Sequence, residues 1–290
     1  MVPWAPGGSN DVVARLMAPH FSERFGQQFV VENRAGGGGS IGMGLVARAR
    51  PDGHTLLISS ASNHVFHALL STELGYDPRE ALASIAMLVD VPNAFAVNPS
   101  LGVSTIPELL AKIRATPGGL SFGSSGTGSS NHLGGELFRM MTGVDLTHVP
   151  YRGGGPAVTD LVAGTIPFAV MNLPTLVGPA SDGRVRIIGV GTEARVAFRP
   201  DIPTVAEQGV PGYSVRSWTG LFAPRGTPQP IIERLSAASR EVLTLPPVAQ
   251  RLTTLASEPL GMDPAATAAF VRAEYERWRP VIRAAGVTLQ

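Results

Sequence analysis

The 290-residue chain contains no cysteine. That excludes thiol catalysis, thiolate-bound zinc, iron–sulfur clusters and disulfides. It leaves a chain that is safe in an oxidising compartment without placing it there. Charge is scarce too. Asp, Glu, Lys and Arg make up 16% of residues and balance to a formal net charge of +1. Basic residues are scattered singly, without aromatic interleaving, so neither a nucleic-acid surface nor a polybasic membrane anchor is expected. No apolar run approaches the roughly 18–20 residues of a membrane-spanning helix. No charged, apolar and small-residue leader precedes Met1-Val2-Pro3-Trp4, which runs straight into a glycine loop. Either the chain is cytosolic, or an export signal and a first strand lie outside this reading frame.

What is present is glycine (34), proline (25) and 44% hydrophobic residues, enough to bury one or two sizeable cores. The glycines and prolines cluster between apolar runs, where they act as turn chemistry. The order is strand, glycine loop, helix, repeated. Residues 12–25 read as a helix capped by Ser9, Asn10 or Asp11, with Pro19 as a possible kink. Residues 28–32 read as a strand, 41–49 as a helix and 55–59 as a buried strand. Further strands are expected at 94–98, 120–123, 166–171 and 185–190. Helices are expected at 106–114, with Thr105 as cap, and at 131–142, where Leu133, Leu137 and Met141 share a face. From Pro228 onward the pattern is mostly helical. The alternation argues for an α/β fold with helices over a parallel sheet.

Two loops carry chemistry. Pro3-Trp4-Ala5-Pro6-Gly7-Gly8-Ser9-Asn10-Asp11 stands at a helix start, where glycine amides and the helix terminus favour an anion. Gly123 to Ser130 repeats the theme with three serines and a threonine before a helix. Both follow strands, at the ends where α/β sheets bind ligands. Each loop by itself also fits an ordinary capped helix. Facing each other across an interdomain cleft, they would hold the two ends of a dicarboxylate.

Other matches are weaker. Gly37 to Gly42 fits G-x-G-x-x-G, but the next strand ends Ile58-Ser59-Ser60 without the acid a dinucleotide site needs. Gly38, Ser40 and Gly42 fit a nucleophile elbow, but Asn33 to Gly36 separate it from its strand and no Asp–His partners stand out. A serine hydrolase using Ser40 is the enzymatic alternative. His64 and His67 lack a third metal ligand and are expected on a loop or helix surface, with no metal site. His132 could donate to a ligand or cap and pack locally, and Arg152 could clamp an anion or be structural. The 22 acids are dispersed, which favours binding over catalysis, and no cofactor is expected.

Taken in order, several segments resemble the tripartite tricarboxylate transporter substrate-binding proteins, also called Bug-type receptors. They begin with Pro3-x-x-Pro6-Gly7-Gly8-x-x-Asp11, Val31-Glu32-Asn33-Arg34-Ala35-Gly36 and Pro51-Asp52-Gly53-His54-Thr55-Leu56-Leu57. They continue with Gly123 to Leu133, Val149-Pro150-Tyr151-Arg152-Gly153, Asn172-Leu173-Pro174, Pro203-Thr204-Val205-Ala206-Glu207 and Trp218 to Pro224. The likeness spans nearly the whole chain. It implies a two-lobed periplasmic binding protein-like fold of type II. Residues 1–98 and 221–290 would form lobe 1, residues 99–220 lobe 2, and strands near 96–100 and 218–224 the hinge.

Carried over by position, Ala5, Gly7 and Gly8 would bind from the first lobe, with Ser60, Ser62 and Asn63 in a selectivity wall. Ser124, Gly126, Thr127, Gly128, Ser129 and His132 would bind from the second lobe, with Met171 and Asn172 beside them. The resemblance implies a periplasmic, monomeric receptor with no catalytic step. It would take a small mono-, di- or aromatic carboxylate and serve membrane permease subunits or, alternatively, a signalling partner. Two departures stand out. Met171 occupies a place where relatives often carry Asp, which argues against an amino-acid cargo. Nearly all of the first strand is also expected to be missing, leaving neighbouring strands with unpaired backbone groups.

Overall fold

The computed structural model describes residues 1–4, 6–71 and 75–287. In chain order the elements begin with α1 (Ser9–Phe25), α2 (Ser40–Ala47), β1 (Leu57–Ser60), α3 (His67–Leu70), α4 (Pro78–Ala81) and β2 (Leu82–Val97). Next come α5 (Ile106–Ala115), β3 (Leu120–Ser124), α6 (Ser130–Thr142), β4 (Leu146–Pro150), α7 (Gly154–Ala163), β5 (Phe168–Asn172), α8 (Leu173–Ser181) and β6 (Arg186–Val190). The chain ends with β7 (Arg216–Pro224), α9 (Gln229–Thr244), α10 (Pro246–Thr254), β8 (Glu258–Met262) and α11 (Pro264–Ala285). Among the described residues no helix is long and apolar enough to cross a membrane.

The chain forms two compact units. Unit 1 is Met1–Asp90, Trp218–Arg283 and Val287–Gln290; unit 2 is Val91–Ser217 and Ala284–Gly286. The chain therefore leaves unit 1 within β2 and returns within β7.

In unit 1, β1 pairs antiparallel with β7, β7 neighbours β2, and β8 pairs antiparallel with β2. Helices α1, α9 and α11 supply most of the remaining core. Trp218, Trp278, Phe66, Phe222 and Met43 are fully buried. In unit 2, β4, β3 and β5 form a parallel ladder, and β2 pairs antiparallel with β5 and with β6. A cluster of Phe95, Phe122, Phe138, Phe168 and Tyr213 fills that core. Phe95 and Phe138 lie 4.8 Å apart at ring centres. The α/β class expected from the alternating pattern is the observed one, but the sheets are mixed. The reason is β2 and β7, the two strands through which the chain changes units, which run against their neighbours.

Four local expectations need correction. Residues 28–32 are not a strand; the only pairing there is an isolated parallel bridge between Val2 and Asn33. The Val2 amide donates to Glu32 O at 2.7 Å and the Arg34 amide to Val2 O at 2.9 Å. On the other side the Ile58 amide donates to Met1 O at 2.9 Å. Backbone pairing there is confined to that single bridge, and residues 27–31 and 52–56 line an open groove of about 730 Å3 instead. Second, β2 starts at Leu82, twelve residues before the expected strand; Asp90, Pro92 and Asn93 disguise its apolar pattern. Third, Met141 is exposed, and the buried face of α6 runs through Leu133 and Phe138 instead. Fourth, His64 and His67 are not surface residues: they are 2% and 7% exposed. Helix α1 runs through Pro19, which is exposed.

Candidate functional site

The unit 1 loop is built on one carboxylate. Asp11, only 3% exposed, sits in the first turn of α1. Its Oδ2 accepts the Gly7 amide at 2.9 Å and its Oδ1 accepts Asn33 Nδ2 at 2.9 Å. Arg15 Nε donates to the same carboxylate at 3.0 Å. Asn33 Nδ2 also donates to Trp4 O at 3.0 Å. Asp11 thus ties both ends of the loop, and Asn33 explains why a polar residue stands beside the two-residue bridge. Burial works against ionisation of Asp11. The hydrogen bonds from Arg15, Gly7 and Asn33 outweigh it and hold the carboxyl below its usual range.

Gly7 needs its positive φ of 85° for this turn. Gly8, and not Ser9, Asn10 or Asp11, is the N-cap of α1, and no side chain caps that terminus. The first-turn amides therefore keep their affinity for an anion. Ala5 lies outside the described residues.

Asn10 links this loop to the end of β1. Its Oδ1 accepts Thr219 Oγ1 at 2.8 Å, and Thr219 on β7 stands opposite Ser60 on β1. Asn63 turns back on Ser60, accepting from the Ser60 amide at 2.9 Å and from its hydroxyl at 2.8 Å. Ser62 and Asn63 open a π-helical turn, Ser62–Phe66, and both are buried.

The glycine run packs against this turn. A Cβ on Gly39 would lie 2.8 Å from Asn63 Cβ, and one on Gly38 would lie 1.7 Å from the His67 ring. Close approach of backbone to side chain explains that run, without a dinucleotide or a nucleophile elbow. The His64 ring lies between Ser59 Oγ, 3.2 Å from its Nδ1, and the Phe222 ring, 4.3 Å away at ring centres.

The unit 2 loop joins β3 to α6, whose N-cap is Ser129. The Ser129 hydroxyl accepts the His132 amide at 3.1 Å. Ser124 is fully buried; its hydroxyl accepts the Gly126 amide at 3.1 Å and lies 2.6 Å from His148 Nε2. The Gly128 amide donates to His132 Nδ1 at 3.1 Å. Thr127 is exposed, and its amide has no acceptor among the described residues.

The loop is braced from below by the segment after β4. The Tyr151 amide donates to Ser124 O at 3.2 Å and the Gly153 amide to Ser125 O at 3.1 Å. Tyr151 in turn donates its hydroxyl to Asp160 at 2.6 Å. Burial and the Asp160 carboxylate push the Tyr151 phenol up to about 12. Tyr151→Phe is expected to cost about 1–2 kcal/mol in urea unfolding, the lower part of the range for a hydrogen bond to a charged group because both partners are half-buried. Arg152 is exposed.

A row of amides completes this side. Ser125 Oγ donates to Asn131 Oδ1 at 2.5 Å, and Asn131 Nδ2 donates to Asn172 Oδ1 at 3.0 Å. Asn172 caps α8. Asn93 stands opposite Asn172 in the β2–β5 register. Met171, one residue earlier on β5, is 1% exposed. A Cβ on Gly154 would lie 3.2 Å from its Cε, so the Met171 side chain reaches the start of α7.

Asn93, Asn131 and His148 were missed as site residues. Asn93 hides inside an apolar strand, and His148 carries no motif. Beside the two loops, a buried donor in each lacks an acceptor among the described residues: Trp4 Nε1 in the unit 1 loop, and Asn93 Nδ2, whose Oδ1 lies 3.5 Å from Ser130 Oγ at the start of α6. Ser236 Oγ and Trp278 Nε1, on α9 and α11, share this property. Among the described residues no cluster of three or more His, Cys, Asp or Glu side chains could hold a metal ion.

Each unit therefore presents a helix start fronted by small residues, with a buried donor left over: α1 has no side-chain cap, and before α6 the Thr127 amide has no acceptor among the described residues. The arrangement suits an anion, and among the described residues no His, Asp or Glu side chain is hydrogen-bonded to Ser40, which opens α2.

Comparison with known proteins agrees. Residues 13–287 match the family described as tripartite tricarboxylate transporter family receptor. The protein BugT of Bordetella pertussis is 35% identical over 291 residues, covering 100% of this chain and 89% of BugT. The solved structure of R. palustris Rpa4515 with adipate superposes with a TM-score of 0.92 at 37% identity, covering 99% of this chain and 96% of that one. MatC from Rhodopseudomonas palustris with bound malate gives a TM-score of 0.87 at 33% identity, covering 97% of each chain. The chain belongs to the tripartite tricarboxylate transporter receptor family.

Proposed function

We propose that this receptor captures a small dicarboxylate, with the unit 1 loop and the unit 2 loop each built to hold a carboxylate. One observation carries the reading: beside each loop stand free backbone amides and a buried donor lacking an acceptor among the described residues, at the uncapped start of α1 in unit 1 and at Thr127 in unit 2. An anion satisfies both at once, without a dedicated arginine. Adipate and malate, held by the two solved relatives, are dicarboxylates.

Met171 sets the finer preference. A buried thioether favours a methylene spacer over a hydroxylated one, because a buried hydroxyl without a partner is costly. Asp11, the acid nearest the unit 1 loop, is fully engaged with Arg15, Gly7 and Asn33, so it is not available to an ammonium group. Aliphatic dicarboxylates are therefore preferred over amino acids. The passages within β2 and β7 serve as the hinge for closure on the ligand. Delivery is to membrane permease subunits at the periplasmic face, and no catalytic step is involved.

Isothermal calorimetry with adipate, malate and benzoate tests this. Adipate is expected to bind with a dissociation constant of about 1 μM or tighter, roughly tenfold tighter than malate. Failure of all three to bind folded protein, or labelling of Ser40 by a fluorophosphonate, would reject the reading.

A further inference from the structure

His148 lies on β4, outside every motif, yet its ring organises the unit 2 loop. Its Nε2 is 2.6 Å from Ser124 Oγ. That separation suits an O–H donor to a ring nitrogen better than an N–H donor to a hydroxyl. Ser124 then gives its only proton to His148, the much shorter contact, in preference to the Gly126 carbonyl at 3.3 Å, and uses a lone pair to accept the Gly126 amide at 3.1 Å. The His148 ring also stacks on His132, with centroids 3.7 Å apart and planes 14° from parallel. His132 Nδ1 accepts the Gly128 amide at 3.1 Å, which puts its own proton on Nε2. Two loop amides, at Gly126 and Gly128, are thus held through one stacked pair of rings. Between them Thr127 is exposed, with its amide unused among the described residues.

We propose that His148 is a positioning residue of the receptor: acting through Ser124 and through its stack on His132, it turns the Gly126 and Gly128 amides inward and leaves the Thr127 amide to the ligand. This rests on the carboxylate-receptor reading above. The mechanism works only with both rings neutral. A proton on His132 Nδ1 removes the acceptor for Gly128, a proton on His148 Nε2 removes the acceptor for Ser124, and two charged rings in a stack repel. Burial favours the neutral forms, holding His132 down to about 4 and His148, with the further repulsion of His132, to about 3. Little around the pair opposes this. Glu136 on α6 lies 4.0 Å from His132 Nε2 but is paired with Arg139 at 2.8 Å. Asp160 on α7 is taken by Tyr151, and β3 and β5 carry no titratable side chain.

The test uses the full chain. In the wild-type protein, imidazole nitrogen NMR is expected to show His148 protonated on Nδ1 and His132 on Nε2; the reverse pattern at either ring overturns the proposal. In His148→Phe, which keeps the stack, hydrogen exchange of the Gly126 and Gly128 amides in ligand-free protein should speed up at least tenfold, as a net hydrogen bond's loss implies. His148→Gln, which restores an acceptor, should recover most of that protection. Adipate affinity should fall about tenfold in His148→Phe, recover in His148→Gln, and decline less steeply below pH 5 in His148→Phe than in wild type. Unchanged exchange in His148→Phe, or no rescue by Gln, would sink the assignment. If wild-type protein ignores adipate altogether, the ligand reading fails, while the exchange and NMR results still decide the role of His148.

Discussion

Asp11→Ala is expected to lower folding stability by about 2–3 kcal/mol and to weaken dicarboxylate binding by at least tenfold. The carboxylate is the hub of the unit 1 loop: it accepts from Gly7, Asn33 and Arg15, and Asn33 carries the tie on to Trp4 O. Its removal leaves an amide, a carboxamide and a guanidinium without their acceptor. The cost is less than for a fully enclosed ion pair, because the Arg15 side chain is 53% exposed and water replaces part of its interaction. Binding suffers more directly. With Gly7 released, the loop at the uncapped start of α1 samples many conformations, and the ligand must then supply the ordering free energy. Asp11→Asn should fall between wild type and Ala, since a carboxamide offers one acceptor but presents a donor where Gly7 or Asn33 also donates. Urea unfolding and calorimetry check both halves. An unchanged urea midpoint in Asp11→Ala would refute the account of the loop.

Much of this was legible in the sequence, and the illegible parts have physical causes. The two glycine loops, their helices and the strand before the second loop follow from local chemistry, small residues and apolar periodicity in α6, whereas the cap at Ser129 came from the structure. The α/β class followed from alternation alone. Strand direction did not, because nothing local marks β2 and β7 as strands running against their neighbours. The segment 28–32 has the composition of a strand, yet its backbone pairing is limited to an isolated bridge at Asn33, which composition does not reveal. The family resemblance placed Ser60, Asn63 and Asn172 near the site; the structure supplies their contacts and shows each engaged by a neighbouring polar group.

Asn93, Asn131 and His148 meet the candidate loops through register and side-chain reach. Asn93 is found only because it stands opposite Asn172, and His148 only because it stands opposite Phe122, two residues before Ser124. Such pairings are long-range facts, invisible to spacing along the chain.

Acid is expected to destabilise the protein between pH 6.5 and about pH 4, well before its carboxylates titrate. Unit 1 holds His64 at 2% exposure, against Ser59, Phe222 and Trp218. Burial pushes its imidazole down to about 3. In unit 2 the His132–His148 stack is depressed in the same sense. The sign follows from which state takes the proton. Above pH 6.5 each ring is neutral in the folded and unfolded chain, and no penalty exists. As pH falls below 6.5 the unfolded chain binds protons that the folded chain refuses, so stability drops by about 1.4 kcal/mol per pH unit for each ring until the folded pKa is reached. At pH 5 that is about 2 kcal/mol for His64 and a similar amount for His132, with less for the more exposed His148. The depressed carboxyls, Asp11 and Asp201 among them, lose their contributions only below about pH 4, where their unfolded counterparts begin to protonate.

All three tryptophans, Trp4, Trp218 and Trp278, lie in unit 1. Tryptophan fluorescence in urea therefore reports the unit 1 imidazoles, His64 and His67, which burial also depresses, while circular dichroism reports both units. His64→Phe should flatten the fluorescence-detected slope between pH 6.5 and 4.5 and leave the His132–His148 contribution in the dichroism. A wild-type urea midpoint that stays constant from pH 7 to pH 5 would show that these imidazoles are hydrated in the folded chain and that neither unit is held by a neutral ring.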